Sequence, residues 1–66
     1  MPTTLGELAH MIAKRDRISI NEAWDCINEA KKSIDEAIFT GRYGAIEDIL
    51  HYDLGLEPDY MELFLV

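Results

Sequence analysis

Apolar residues recur along this chain at three- and four-residue steps, in three long stripes and one short one. Leu5, Leu8, Ala9, Ile12 and Ala13 form the first. That spacing places them on one helical face. Thr4, followed three residues later by Glu7, supplies a capping-box start, while Gly6 weakens the first turn slightly. Lys14, Arg15 and Arg17 suit the negative pole at the other end, and "RDR" breaks the pattern. Ser19 and Glu22 then form a second capping box, with Ile18 and Ala23 at the positions of a hydrophobic staple. From there Ala23, Trp24, Ile27, Ala30, Ile34, Ala37 and Ile38 run to a stop at Gly41. This predicts a long amphipathic helix of roughly 30 Å, with Trp24 in the core.

"GRYG" at 41–44 reads as a turn. Ala45, Ile46, Ile49, Leu50 and Leu54 make a third stripe, closed by Gly55. In "LEPDYMELFLV" Pro58 suits a first helical turn, and Asp59 and Glu62 suit its positive end. Leu56, Tyr60, Leu63 and Phe64 line one side of this last segment, and Met61, Leu65 and Val66 another. A short helix that is apolar nearly all round must be buried or must meet a partner. The expected fold is all-α: a single domain over residues 1–66, a small bundle of four helices with a long second helix and a short C-terminal one.

Length and composition narrow the class. A chain of 66 residues buries only about 60% of its unfolded surface, so marginal stability or oligomerisation is expected. Hydrophobic content of 48% fits a folded domain. The single cysteine, Cys26, excludes an internal disulfide and a multi-cysteine zinc site. With no apolar signal core and no run of about 20 apolar residues, a soluble cytoplasmic protein is expected and no membrane partner.

Charge is distributed unevenly. Residues 1–42 hold seven acids against all six bases, while residues 43–66 hold six acids and no lysine or arginine, within a net charge of −7. Phosphate binding depends on Lys and Arg releasing counterions. The C-terminal third should therefore repel nucleic acid and favour a basic partner, or serve solubility alone.

No catalytic constellation is visible. Nothing in the spacing ties His10 or His51 to Cys26, which lies beside the apolar stripe of the second helix where a free cysteine behaves as a small hydrophobe. His51 and Asp53 of "HYD" stand two residues apart, so on a helix they face different ways and make a poor metal pair. Glu22, Asp25, Glu29, Asp35 and Glu36 read as the solvated face of the second helix, and no glycine-rich phosphate loop is present. No cofactor is expected. Tyr43, Tyr52 and Tyr60 are interleaved with carboxylates in the base-free segment, a composition suited either to a protein-binding surface or to covering a thin core.

Residues 5–41, "LGELAHMIAKRDRISINEAWDCINEAKKSIDEAIFTG", resemble the N-terminal helical hairpin of the HU/IHF family of bacterial DNA-bending proteins. The shared positions are Ile12–Ala13, Ser19, Ala23, Ile27–Asn28, Ile34, Glu36 and Gly41. Beyond Gly41 that family continues into strands, a Gly-Phe-Gly motif and a basic DNA-binding arm, whereas this chain continues with helical, acidic sequence. The resemblance therefore implies a dimerising hairpin and transfers no DNA-contacting residue. The ending "DLGLEPDYMELFL" is similar to the close of small uncharacterised bacteriophage proteins, which implies a phage or prophage origin.

These readings converge on a small acidic, non-enzymatic interaction domain, acting in the cytoplasm of a bacterial host on a protein partner of basic character. The candidate contact residues are Tyr43, Glu47, Asp48, Tyr52, Asp53, Glu57, Asp59, Tyr60, Glu62 and Phe64. In its sharpest form, such a domain inhibits or modulates a host nucleic-acid-binding protein by presenting carboxylates where phosphates would sit. The alternative is a DNA-associated homodimer using Lys14, Arg15, Arg17, Lys31, Lys32 and Arg42. An enzyme subunit or cofactor binder is the third and weakest reading. "MELFLV" is the expected oligomer contact.

Overall fold

A computed structural model describes residues 2–65. Four helices follow one another: α1 (Leu5–Asp16), α2 (Ile20–Phe39), α3 (Gly44–Leu54) and α4 (Met61–Leu65), with a 3-10 turn at Pro58–Tyr60 leading into α4. Among the described residues there is no strand, and the fold is a small all-α bundle. None of these helices is long and apolar enough to cross a membrane. The longest helix, α2, packs against both α1 and α3, and the molecule extends 33 Å along its long axis.

The starts and stops expected from sequence have physical counterparts. Thr4 Oγ1 accepts from Glu7 N–H at 3.2 Å, and Ser19 Oγ accepts from Glu22 N–H at 3.1 Å. The return arms differ from a reciprocal box. The Glu7 carboxylate accepts from the Thr3 N–H and hydroxyl rather than from Thr4, and among the described residues Glu22 makes only the backbone half. At the far end of α2, Gly41 turns left-handed at φ 75°. Its N–H donates to the Ile38 carbonyl at 3.2 Å, and the Arg42 N–H to that of Ala37 at 2.7 Å, the double closure of a Schellman motif. α1 ends on the same conformation without glycine, since Arg17 sits at φ 56°. That is a strained position for a residue with a Cβ.

The core draws on every helix. Leu8, Ala9 and Ile12 of α1 meet Ala23, Ile27, Ala30, Ile34 and Ala37 of α2, and Ile46, Leu50 and Leu54 of α3. Leu56 and Phe64 close it from the C-terminal segment. Alanines at 23, 30 and 37 leave room for their neighbours to pack close to the α2 axis.

Four expectations need correction. Trp24 is only partly buried: it lies against the core and over Gly6 rather than within the core. Cys26 is exposed, because the buried stripe of α2 steps from Ala23 to Ile27 and passes it by. Phe64, expected at a partner contact, is 3% exposed and fills the core of its own chain. The second apolar side of α4 divides, with Met61 partly buried and Leu65 exposed, while Val66 lies outside the described residues.

Candidate functional site

The solvent face of α3 carries most of the residues that can meet a partner. Burial of Ile46, Leu50 and Leu54 at four-residue steps turns Glu47, Asp48, His51 and Tyr52 outward on the opposite side. Beyond α3, Gly55 at φ 64° reverses the chain, and the Leu56 N–H returns to the Leu50 carbonyl at 2.9 Å. That turn sets Glu57 and Pro58 across from the helix. An open groove of about 510 Å³ results, lined by Glu47, Asp48, His51, Tyr52, Gly55, Leu56, Glu57 and Pro58.

A second groove, of about 340 Å³, lies between α2 and α3 and is lined by Cys26, Glu29, Ala30, Tyr52 and Asp53. Tyr52 belongs to both. It is 79% exposed, and its ring forms a T-shaped pair with His51, with centroids 4.9 Å apart and planes at 78°. Five carboxylates thus border the two grooves around one uncovered aromatic ring: Glu47, Asp48 and Glu57 on one side, Glu29 and Asp53 on the other. No lysine or arginine lines either groove.

The ten residues singled out from sequence separate into groups. Glu47, Asp48, Tyr52 and Glu57 share the first groove, and Asp53 joins them through Tyr52. Asp59 and Glu62 line a different depression of about 250 Å³ with Pro2, Thr3 and Leu63. Tyr43 is exposed at the start of α3 and lines neither groove. Tyr60 is a packing residue, half-buried with its hydroxyl donating to Met11 Sδ at 3.7 Å. Phe64 is interior.

Glu29, Cys26 and His51 were missing from that set. Glu29 reads in sequence as one more acid on the solvated face of α2, and only the packing of α2 on α3 brings it to a groove shared with Tyr52 and Asp53. His51 carried a usable signal: it stands four residues after Glu47, one turn along the same face. Exposed Phe39, at the end of α2, was likewise unremarkable in sequence.

The only ion pair among the described residues is Arg15–Asp16, with Arg15 Nε 2.8 Å from Asp16 Oδ1. Hydrogen bonding to Arg15 holds the Asp16 carboxyl below its ordinary value, and the same contact raises the guanidinium above its own. Arg15 also reaches α3: Nη2 donates to the Leu54 carbonyl at 2.7 Å and Nη1 to that of Gly55 at 3.4 Å. It therefore ties down the turn that forms one wall of the first groove.

The remaining bases fall in three places: Lys14 and Arg17 at the end of α1, Lys31 and Lys32 within α2, and Arg42 beyond it. Arg17 precedes α2 and Arg42 follows it, so about 30 Å of helix separates them. That span exceeds the roughly 8–10 Å over which exposed charges reinforce one another at physiological salt. Cys26 has two carboxylates and no histidine in its groove. Among the described residues no group of three or more His, Cys, Asp or Glu side chains could hold a metal.

The chain matches no family model, no curated protein and no solved structure.

Proposed function

We propose that this protein is a small, non-enzymatic interaction domain that binds a basic protein through the acidic face of α3. One observation carries the reading: five carboxylates border two adjoining grooves around the exposed ring of Tyr52, with no lysine or arginine lining either. Carboxylates so placed generate a focused negative potential, which speeds encounter with a positively charged partner and disfavours acidic ones. The aromatic ring adds contact area at low entropic cost. A surface of this kind competes with nucleic acid for a phosphate-binding protein, so inhibition or modulation of a host nucleic-acid-binding protein is the specific action proposed. The similarity of residues 53–65 to small bacteriophage proteins supports a phage or prophage origin and action in the bacterial cytoplasm. The hairpin resemblance supports a homodimer, which would add its interface to the core that Leu56 and Phe64 close within one chain.

The test compares two tagged proteins in parallel affinity purifications from bacterial lysate: the parent, and a variant carrying Glu47→Gln, Asp48→Asn, Asp53→Asn and Glu57→Gln. The parent should retain basic, nucleic-acid-binding proteins that the variant loses, and added duplex DNA should displace them. Capture of the same proteins by both forms would refute the proposal.

A further inference from the structure

We infer that the α3 grooves are built for arginine rather than for positive charge in general, and that the occupant is a peptide segment presenting an arginine over the Tyr52 ring. This rests on the proposed binding of a basic partner to this face and goes further by naming the side chain recognised. Two features of the surface carry it, apart from the carboxylates.

The first is the uncovered ring. Tyr52 is 79% exposed, and its one aromatic neighbour, His51, stands nearly perpendicular to it. An electron-rich face open to solvent and surrounded by negative charge attracts a cation placed over it. The second is the apolar part of the walls. Pro58 is exposed in the first groove beside Glu57, with the buried Leu56 behind it.

Lysine and arginine respond differently to such a mixture. The lysine ammonium is compact and strongly hydrated, and contact with Pro58 and the Tyr52 ring would strip water it holds tightly. Guanidinium is flat and weakly hydrated; it stacks on aromatic faces while its edge donates two parallel hydrogen bonds to a carboxylate. Tyr52 borders both grooves and acids line each of them, so either groove offers carboxylate acceptors to the edge of a guanidinium stacked on the ring.

The size of the surface argues for a segment rather than a free amino acid. The two grooves, about 510 and 340 Å³, are open and adjoin at Tyr52, so they offer an extended face to a chain segment rather than an enclosed site for a small molecule. Charge complementarity selects the partner class. Nucleic acid is repelled, and a second copy of this chain would bring its own excess of acids, since the net charge is −7.

The experiment uses the full chain and three fluorescein-labelled peptides of identical length: one with three arginines spaced by Gly-Ser, one with lysines in their place, and one with neutral citrullines. Binding is followed by anisotropy at low and at physiological salt. The arginine peptide should bind severalfold more tightly than the lysine peptide, because an ammonium over the ring makes the cation–π contact but neither the planar stack nor the paired hydrogen bonds, and the citrulline peptide should not bind measurably. In Tyr52→Leu the arginine preference should fall to near unity while weak, salt-sensitive binding persists, and Tyr52→Phe should restore the preference. Because Tyr52 is exposed, both variants should keep the parent circular dichroism spectrum.

Equal affinity for the arginine and lysine peptides, or a preference that survives Tyr52→Leu, overturns the inference and leaves the acidic-face reading standing, provided Glu47→Gln with Glu57→Gln still weakens both. If the parent binds neither basic peptide, both proposals fall. If sedimentation finds a concentration-dependent dimer that Tyr52→Leu abolishes, the occupant is a second copy and the inference fails.

Discussion

Replacing Arg15 by methionine removes one charged fork while keeping most of the aliphatic stem, and the structure sets the size of the effect. In the parent, the guanidinium donates to the Leu54 carbonyl at 2.7 Å and the Gly55 carbonyl at 3.4 Å, at the C-terminus of a helix other than its own. These carbonyls belong to the closing turn of α3, where the helix dipole is negative. A hydrogen bond from a charged donor contributes about 1.5–3 kcal/mol when well buried. The Arg15 side chain is 39% exposed, so water replaces part of what is lost, and the expected cost is about 1–2 kcal/mol.

For a domain of this size each kcal/mol moves the melting temperature by about 4–8 °C. Thermal and urea unfolding followed at the helical circular dichroism band would measure the effect. Asp16→Asn is the control: it removes the exposed ion pair but leaves the cross-helix bonds, and its effect should be clearly smaller. Arg15→Lys should fall between, since an ammonium keeps the charge without the fork. Amide exchange gives a local readout, because the N–H groups of Gly55 and Leu56 donate to His51 and Leu50 across this turn, at 3.0 and 2.9 Å. Both should exchange faster in Arg15→Met. Stability unchanged from the parent, or a loss no greater than that of Asp16→Asn, would show that the guanidinium does not hold α1 to α3.

Phe64→Ala empties a filled position and should cost about 3–5 kcal/mol, enough to leave a domain of this size largely unfolded; a folded variant that only dissociates on sedimentation would instead make Phe64 an oligomer contact. Arg17→Gly relieves a left-handed position at φ 56° and should stabilise by about 0.5–1 kcal/mol, part of the gain being offset by the freer unfolded chain. An unchanged melting temperature would mean that the strain is absent. The Asp16 carboxyl is held below its ordinary value of 3.8 by Arg15. As pH falls, the unfolded chain therefore takes up that proton first, and the stabilisation is present above the ordinary value and lost as pH drops through the folded one. The stability difference between parent and Asp16→Asn should hold at neutral pH and shrink below about pH 4; a difference that grows on acidification would refute the assignment.

Much of the fold is legible in the chain because helix formation is a local matter. Thr4 and Ser19 cap where their hydroxyls meet the third N–H, and Gly41 and Gly55 stop helices because a left-handed residue is cheapest without a Cβ. The apolar period likewise assigns Leu8, Ile12, Ile27, Ile34, Ile46 and Leu50 to the interior. Where that logic failed, a neighbour distant in sequence decided. Periodicity counts Trp24 as part of a stripe, but it stands one residue round from Ala23, off the buried line of Ala23, Ile27, Ala30, Ile34 and Ala37, and settles at the margin over Gly6. α4 is apolar nearly all round, and the choice between partner and core was made by the space left beside α3, which Phe64 fills.

The acidic surface divides in the same way. Sequence alone determined that the bases end at Arg42 and that Glu47, Asp48 and Tyr52 share a helical face, because charge is a property of composition and the face follows from 3.6 residues per turn. Tertiary structure decided which acids act together. The left-handed turn at Gly55, held by Arg15 from α1, brings Glu57 across from α3, while the packing of α2 against α3 brings Glu29 to the other flank of Tyr52. The same folding carries Asp59 and Glu62 to a separate depression. No local pattern encodes those distances: each depends on where a second helix lies, and that is set by how the buried side chains of the bundle fit together.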